Sequence, residues 1–139
     1  MAKYGNFLYG TAKYGQTPKL NYSVEPMDIV VLSFSKTFVS WQSPTGTFSR
    51  VRLVRNQIGF PETAEDGIII WEEAASEGGL SRSDFTDGLD NPSSTPIASG
   101  RPIYYSMFLF TDSDVWVKAG SIADIVPEDH GSQQKFLDI

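Results

Sequence analysis

The stretch RPIYYSMFLFTDSD, Arg101 to Asp114, is the most strand-like in the chain. Its aromatic and aliphatic residues fall on both sides of an alternating pattern, which predicts a strand buried on both faces or central in its sheet. Two segments upstream carry the same signal. MDIVVLSFS (Met27–Ser35) and KTFVSWQS (Lys36–Ser43) are rich in β-branched and aromatic residues, and Val39 and Trp41 share one face while Phe38 and Ser40 share the other. The turn SPTG (Ser43–Gly46) leads into FSRVRLVRNQIGF (Phe48–Phe60). There Val51 and Leu53 follow an inward track, with Asn56 or Gln57 after them, and Arg50, Arg52 and Arg55 read as mainly facing solvent. GIIIWEE (Gly67–Glu73) is one more apolar run of strand length. From Ala74 to Gly100 a loop rich in Ser, Gly, Asp and Pro is interrupted by a short strand around SDFTD (Ser83–Asp87). VWVKAGSIADIV (Val115–Val126) supplies the last strand and an extension. The sequence shows no helix of three turns.

Six or seven short strands separated by turn residues describe an all-β sandwich. The expected organisation is an arm over residues 1–25, a sandwich over 26–120 and a tail or linker over 121–139. The core expected from the alternation is Val39, Trp41, Val51, Leu53, Ile69, Tyr105, Met107 and Leu109.

The chain has 139 residues, no cysteine, and a formal net charge of −6. The missing cysteines remove disulfides, thiolate catalysis and thiolate zinc sites. The acidic balance argues against a nucleic-acid partner, because phosphate binding needs a basic face. No apolar run has the length of a membrane span, so no membrane partner is expected. Charge is unevenly spread: Lys3, Lys13 and Lys19 stand without an acid in the first 20 residues, while residues 62–90 carry nine acids and the single base Arg82.

Candidate chemistry is sparse. His130 is the one histidine, so neither a histidine metal cluster nor a triad fits within one chain. Three acidic pairs invite a two-carboxylate mechanism: Glu72 with Glu73, Asp84 with Asp87, and Asp112 with Asp114. The last two pairs are expected in turns, bonded to nearby backbone amides. DFTDGLD lacks the ligand series of an EF-hand loop, and Gly78-Gly79 is followed by no phosphate-binding Lys-Ser/Thr. No cofactor and no enzymatic activity are expected. Trp71, beside Glu72 and Glu73 at a strand end, is the candidate contact for a glycan ring.

The order of VSWQSP (Val39–Pro44), the strand Arg50–Arg55, DGIIIWE (Asp66–Glu72), DFTDGL (Asp84–Leu89) and GRPIYYSMFLFTDSD (Gly100–Asp114) resembles a fibronectin type III module of the kind found in bacteriophage tail proteins. The resemblance covers about two thirds of the chain and implies a fibronectin III- or immunoglobulin-like β-sandwich, with Trp41 filling the space between the sheets. Ile97 and Gly100 take the places of the family's Leu-x-x-Gly turn. The register set by Gly100 puts Ile103 where such modules often carry a corner tyrosine, with Tyr104 and Tyr105 following. Either that tyrosine is lost or the register slips by one.

At the front, Tyr4-Gly5, Tyr9-Gly10 and Tyr14-Gly15 recur every five residues. On a helix a five-residue step turns each Tyr by about 140°, so the three share no face. On a strand the odd step sends them to opposite sides. The segment is nonetheless apolar, and is expected to order against another surface through Tyr4, Phe7, Tyr9, Tyr14 and Tyr22, either a neighbouring subunit or an edge of its own sandwich. Repeated Tyr-Gly units ahead of such a module resemble minor tail or baseplate proteins of long-tailed phages, and HGSQQKFLDI (His130–Ile139) resembles the linker into a further tail domain of longer relatives. The resemblance implies a structural part of a virion tail, made in the host cytoplasm and assembled as a ring or trimer with other tail proteins. The alternative is a carbohydrate- or cell-surface-binding module that meets a host glycan near Trp71 and the acidic segment 72–90.

Overall fold

The structure, a computed structural model, describes residues 22–77, 79–91 and 95–129. Seven strands follow in chain order: β1 (Asp28–Ser33), β2 (Lys36–Ser40), β3 (Phe48–Asn56), β4 (Ile68–Ala74), β5 (Asp84–Asp87), β6 (Pro102–Thr111) and β7 (Trp116–Ile125). They form a three-stranded sheet in the order β1-β2-β5 and a four-stranded sheet in the order β4-β3-β6-β7, with every pairing antiparallel. The chain crosses between sheets after β2, β4 and β5, so neither sheet is a simple meander. This is a fibronectin III-like β-sandwich, as the order of the sequence signals implied.

Alternation builds the core. Val39 and Trp41 of the first sheet face Val51 and Leu53 of β3 and Ile103, Tyr105, Met107 and Leu109 of β6, all of them buried. On paired β3 and β6, Val51 stands opposite Leu109 and Leu53 opposite Met107, so the inward tracks are in register. Ile69 is the exception: it is 43% exposed, and Ile70 is buried in its place. The register between β3 and β4 shifts between Leu53 and Val54, so that Leu53 pairs with Trp71 and Val54 with Ile69. The residue left over at this bulge, Ile70, turns into the core.

β6 is both central and buried on both sides. On its outer face Phe108 packs with Val54, Ala64 and Trp116 in a second, smaller cluster. Ala64 comes from the β3–β4 loop, which lies over the sheet: its carbonyl accepts a hydrogen bond from Arg52 Nη1 at 2.9 Å, and Asp66 O accepts one from Asn56 Nδ2 at 3.1 Å.

The sandwich extends past both expected boundaries. Val24 and Val126 are fully buried core residues. The Val24 amide donates to Ala119 O on β7 and its carbonyl accepts from the Gln42 amide, which stitches the entering chain between the sheets. The Val126 amide donates to Arg101 O. Tyr22, expected in the arm, packs against the core and lies so close to Gly46 that a β-carbon there would stand 2.5 Å from its ring. Tyr4, Phe7, Tyr9, Tyr14 and His130 lie outside the described residues.

Gly88 ends β5 with φ of 96°, and a β-carbon at this position would overlap the carbonyl oxygen of Ser35. Gly88→Ala is therefore expected to lower the unfolding free energy by about 1–3 kcal/mol, read from urea titrations. An unchanged midpoint would show that the turn relaxes without cost.

Candidate functional site

The sandwich buries an ionic cluster at one end. Asp87, the last residue of β5, is fully buried and accepts from Arg55 Nε at 2.8 Å and Nη2 at 3.1 Å, from the Tyr105 hydroxyl at 2.7 Å and from Asn91 Nδ2 at 2.9 Å. Arg55 Nη2 also donates to Thr95 O at 2.6 Å. Two expectations are corrected here. Arg55 does not face solvent: it continues the inward track of Val51 and Leu53, where alternation places it. Asp87 bonds side chains rather than turn amides. Burial, and then the negative charge of Asp87, push the Tyr105 hydroxyl well above its ordinary value of 10.0. With both carboxylate oxygens occupied, the cluster is a structural pin and offers no acid or base to a substrate.

The register set by Gly100 holds, and the tyrosine is lost from the corner position. Ile103 and Tyr105 both point inward, and Tyr105, two residues beyond the expected place, bonds back across the corner to Asp87.

The other acidic pairs are apart. Glu72 accepts from Arg50 Nε at 2.8 Å and Nη2 at 2.6 Å and from Arg52 Nε at 2.9 Å on the outer face of the four-stranded sheet. Partial burial pushes its carboxyl up, but the hydrogen bonds and charges of the two arginines outweigh that and hold it below its ordinary value. Glu73 instead accepts from the amide and hydroxyl of Ser81. Asp112 and Asp114 are exposed in the β6–β7 turn. Among the described residues no three acids or histidines are placed to share a metal ion.

The tryptophans are engaged by protein. Trp71 is not an exposed platform: its ring stacks on Trp41 with centroids 5.3 Å apart and lies 6.3 Å from Phe85. Trp116 sits between the Arg52 guanidinium, 4.3 Å from its centroid, and Phe110 at 5.0 Å.

Among the described residues, two surface features bear on binding. The first is a cleft of about 500 Å3 between the Ser43–Pro44 turn and the segment Glu77–Ser83, with Trp41, Phe48 and Leu80 contributing apolar lining and Glu77, Ser81, Arg82 and Ser83 polar lining. Arg82 donates to Asp90 Oδ2 at 2.9 Å and lies over the Phe85 ring, so its charge is largely answered within the wall. The second is the outer side of β1, an edge strand, where Val30 is 48% and Leu32 55% exposed, with Phe34 at 38% in the following turn.

Neither any protein-family model nor any curated protein matches the sequence. Among solved structures, a fibronectin III domain of human collagen XX has a TM-score of 0.44 at 12% identity, covering 79% of this chain and 100% of that one. The third fibronectin III domain of a further human protein has a TM-score of 0.44 at 10% identity over 88% of this chain and 96% of that one. A structure described as a myokine has a TM-score of 0.49 at 4% identity over 78% of this chain and 99% of that one.

The ionic cluster generates two expectations. Asp87→Ala leaves Arg55 buried without its counter-charge and is expected to cost about 3–5 kcal/mol of stability; a loss below 1 kcal/mol would show that water reaches Arg55. Tyr105→Phe is expected to cost about 1.5–3 kcal/mol at neutral pH, the range of a hydrogen bond to a charged group. Because the folded protein holds the Tyr105 proton more tightly than the unfolded chain, this contribution is complete below pH 10 and is lost as pH rises above it. Urea unfolding at pH 9, 10 and 11 should therefore show a steeper alkaline loss in the parent than in Tyr105→Phe.

Proposed function

We propose that this chain is a structural component of the tail or baseplate of a long-tailed phage, assembling with itself and with other tail proteins through its N-terminal aromatic segment. The observation that carries this reading is the division of the chain. The described core clusters run from Val24 to Val126, tied by a satisfied ionic cluster, while three Tyr-Gly units and three unopposed lysines stand ahead of them. Tyr brings a large contact area with a polar tip, and the adjoining Gly lets a partner's surface approach the backbone. Val30, Leu32 and Phe34 add an apolar strip of the kind that contacts between subunits cover. The order of sequence signals, which resembles that of phage tail modules, supports the reading of a tail part. The glycan-binding alternative is not preferred, since Trp71, its expected contact, is stacked on Trp41.

Removal of residues 1–21, with Tyr22 retained because it packs on the core, separates assembly from folding. The full chain is expected to sediment as a ring or trimer, and the shortened chain as a monomer with a melting temperature within a few degrees of the parent. A monomeric full chain, or unchanged assembly after the deletion, would overturn the reading.

A further inference from the structure

The cleft beside Trp41 has the shape and chemistry of a receptor for one Tyr-Gly unit. Its about 500 Å3 lies within the range of sites that hold small ligands, enough for one aromatic side chain and the flanking backbone. Phe48 and Leu80 give the ring apolar contact, and the Ser81 and Ser83 hydroxyls line the polar part that a phenol would reach. Glu77 is exposed at its wall, and the neighbouring Asp84, half exposed and 4.0 Å from Arg82 Nη2, shares that arginine with Asp90. Glu73 is held by Ser81, and Arg82 by Asp90. The charge left unanswered at the rim is therefore negative, matching a segment whose only charged side chains are Lys3, Lys13 and Lys19.

The path of the chain supplies a second, independent argument. Tyr22 lies against Gly46, and Ser23 exchanges hydrogen bonds with Thr45, one residue beyond the Ser43–Pro44 turn that lines the cleft. Tyr22 and Ser23, the first described residues after the Tyr-Gly segment, are therefore anchored beside the cleft.

We propose that this cleft binds a Tyr-Gly unit from residues 1–21 of a neighbouring copy of the same chain, with Glu77 pairing to a lysine of that segment. The proposal rests on the assembly reading and deepens it by naming the receptor.

The chain contains no cysteine, so a disulfide reports the contact cleanly. Thr11→Cys lies between Tyr9 and Tyr14, and Ser43→Cys lies exposed at the cleft. Separately purified full-length chains carrying one substitution each are mixed, allowed to exchange subunits and oxidised. A mixed disulfide dimer is expected, exceeding the dimers each chain forms alone, and lost when Tyr9→Ala and Tyr14→Ala are added to the Thr11→Cys chain. Glu77→Lys, an exposed change that spares the fold, is expected to weaken association about two- to fivefold, with the difference shrinking as salt is raised. A disulfide formed only within a chain carrying both cysteines would overturn the proposal in favour of docking onto the segment's own sandwich. Absence of any disulfide in chains that sedimentation shows to be assembled would also overturn it, while leaving the assembly reading intact. Failure of the parent chain to assemble would overturn both.

Discussion

The fold turns on a charge taken out of water. Asp87 belongs to the three-stranded sheet, and its partners Arg55 and Tyr105 stand opposite one another on β3 and β6 of the four-stranded sheet. One carboxylate therefore ties both sheets at a single point. Desolvating an ion pair costs several kcal/mol, recovered only when each donor and acceptor is answered; here the carboxylate accepts four hydrogen bonds and the guanidinium spends a further donor on Thr95 O. The arrangement does more for specificity than for net stability. A one-residue slip of β6 on β3 would turn Tyr105 to the outer face and deprive the buried Asp87 of one of its hydrogen bonds. The chain after β5 is constrained as well, because Asn91 and Thr95 must both reach the cluster and Gly88 must pass close to Ser35.

With that corner fixed, the two sheets present unlike outer faces. The four-stranded sheet is covered by its own loop and by the Arg50–Arg52–Glu72 ladder running up to Trp116. Such a face is internally satisfied, and covering it would strip water from charges already paired. The three-stranded sheet ends in β1, whose outward Val30 and Leu32 have no such cover from charged partners. Exposed apolar surface is thus found on the β1 side, and apolar lining beside acidic residues in the cleft next to Trp41.

Much of this was legible in the sequence, since period-2 alternation with Gly, Pro, Ser and Asp punctuation locates strands by simple geometry. Six of the seven strands fall within segments read from it, β4 runs one residue past its segment to Ala74, and seven of the eight expected core residues are buried. Ile69 escaped because a bulge leaves no local mark in a run of three isoleucines; only the pairing with β3 decides which one turns inward. Arg55 escaped for the opposite reason. The alternation of Val51, Leu53 and Arg55 did place it inward, but a charge weighs against burial unless its partner is known, and Asp87 lies 32 residues away. Trp71 and Tyr22 were misplaced because proximity to acids or to a repeat says nothing of the packed ring or turn that receives them.

The five-residue spacing of the front segment acquires a physical sense from the cost of ordering it. Fixing a residue costs about 1–2 kcal/mol of backbone entropy, so five residues cost about 5–10. Burying one tyrosine, about 150–250 Å2 of surface, returns about 4–6 kcal/mol. A Tyr-Gly unit alone therefore at best balances its own ordering and mostly falls short of it. Between Tyr4 and Tyr9 the chain adds Phe7 and Leu8, whereas between Tyr9 and Tyr14 it adds Ala12 as the only apolar side chain besides Gly10. Both intervals thus lean on their tyrosines, the first with more apolar support than the second. In the proposed assembly a single arm built this way would hold weakly and exchange readily. Closing the proposed ring would engage several at once, the second and later contacts forming at the high effective concentration that linkage provides.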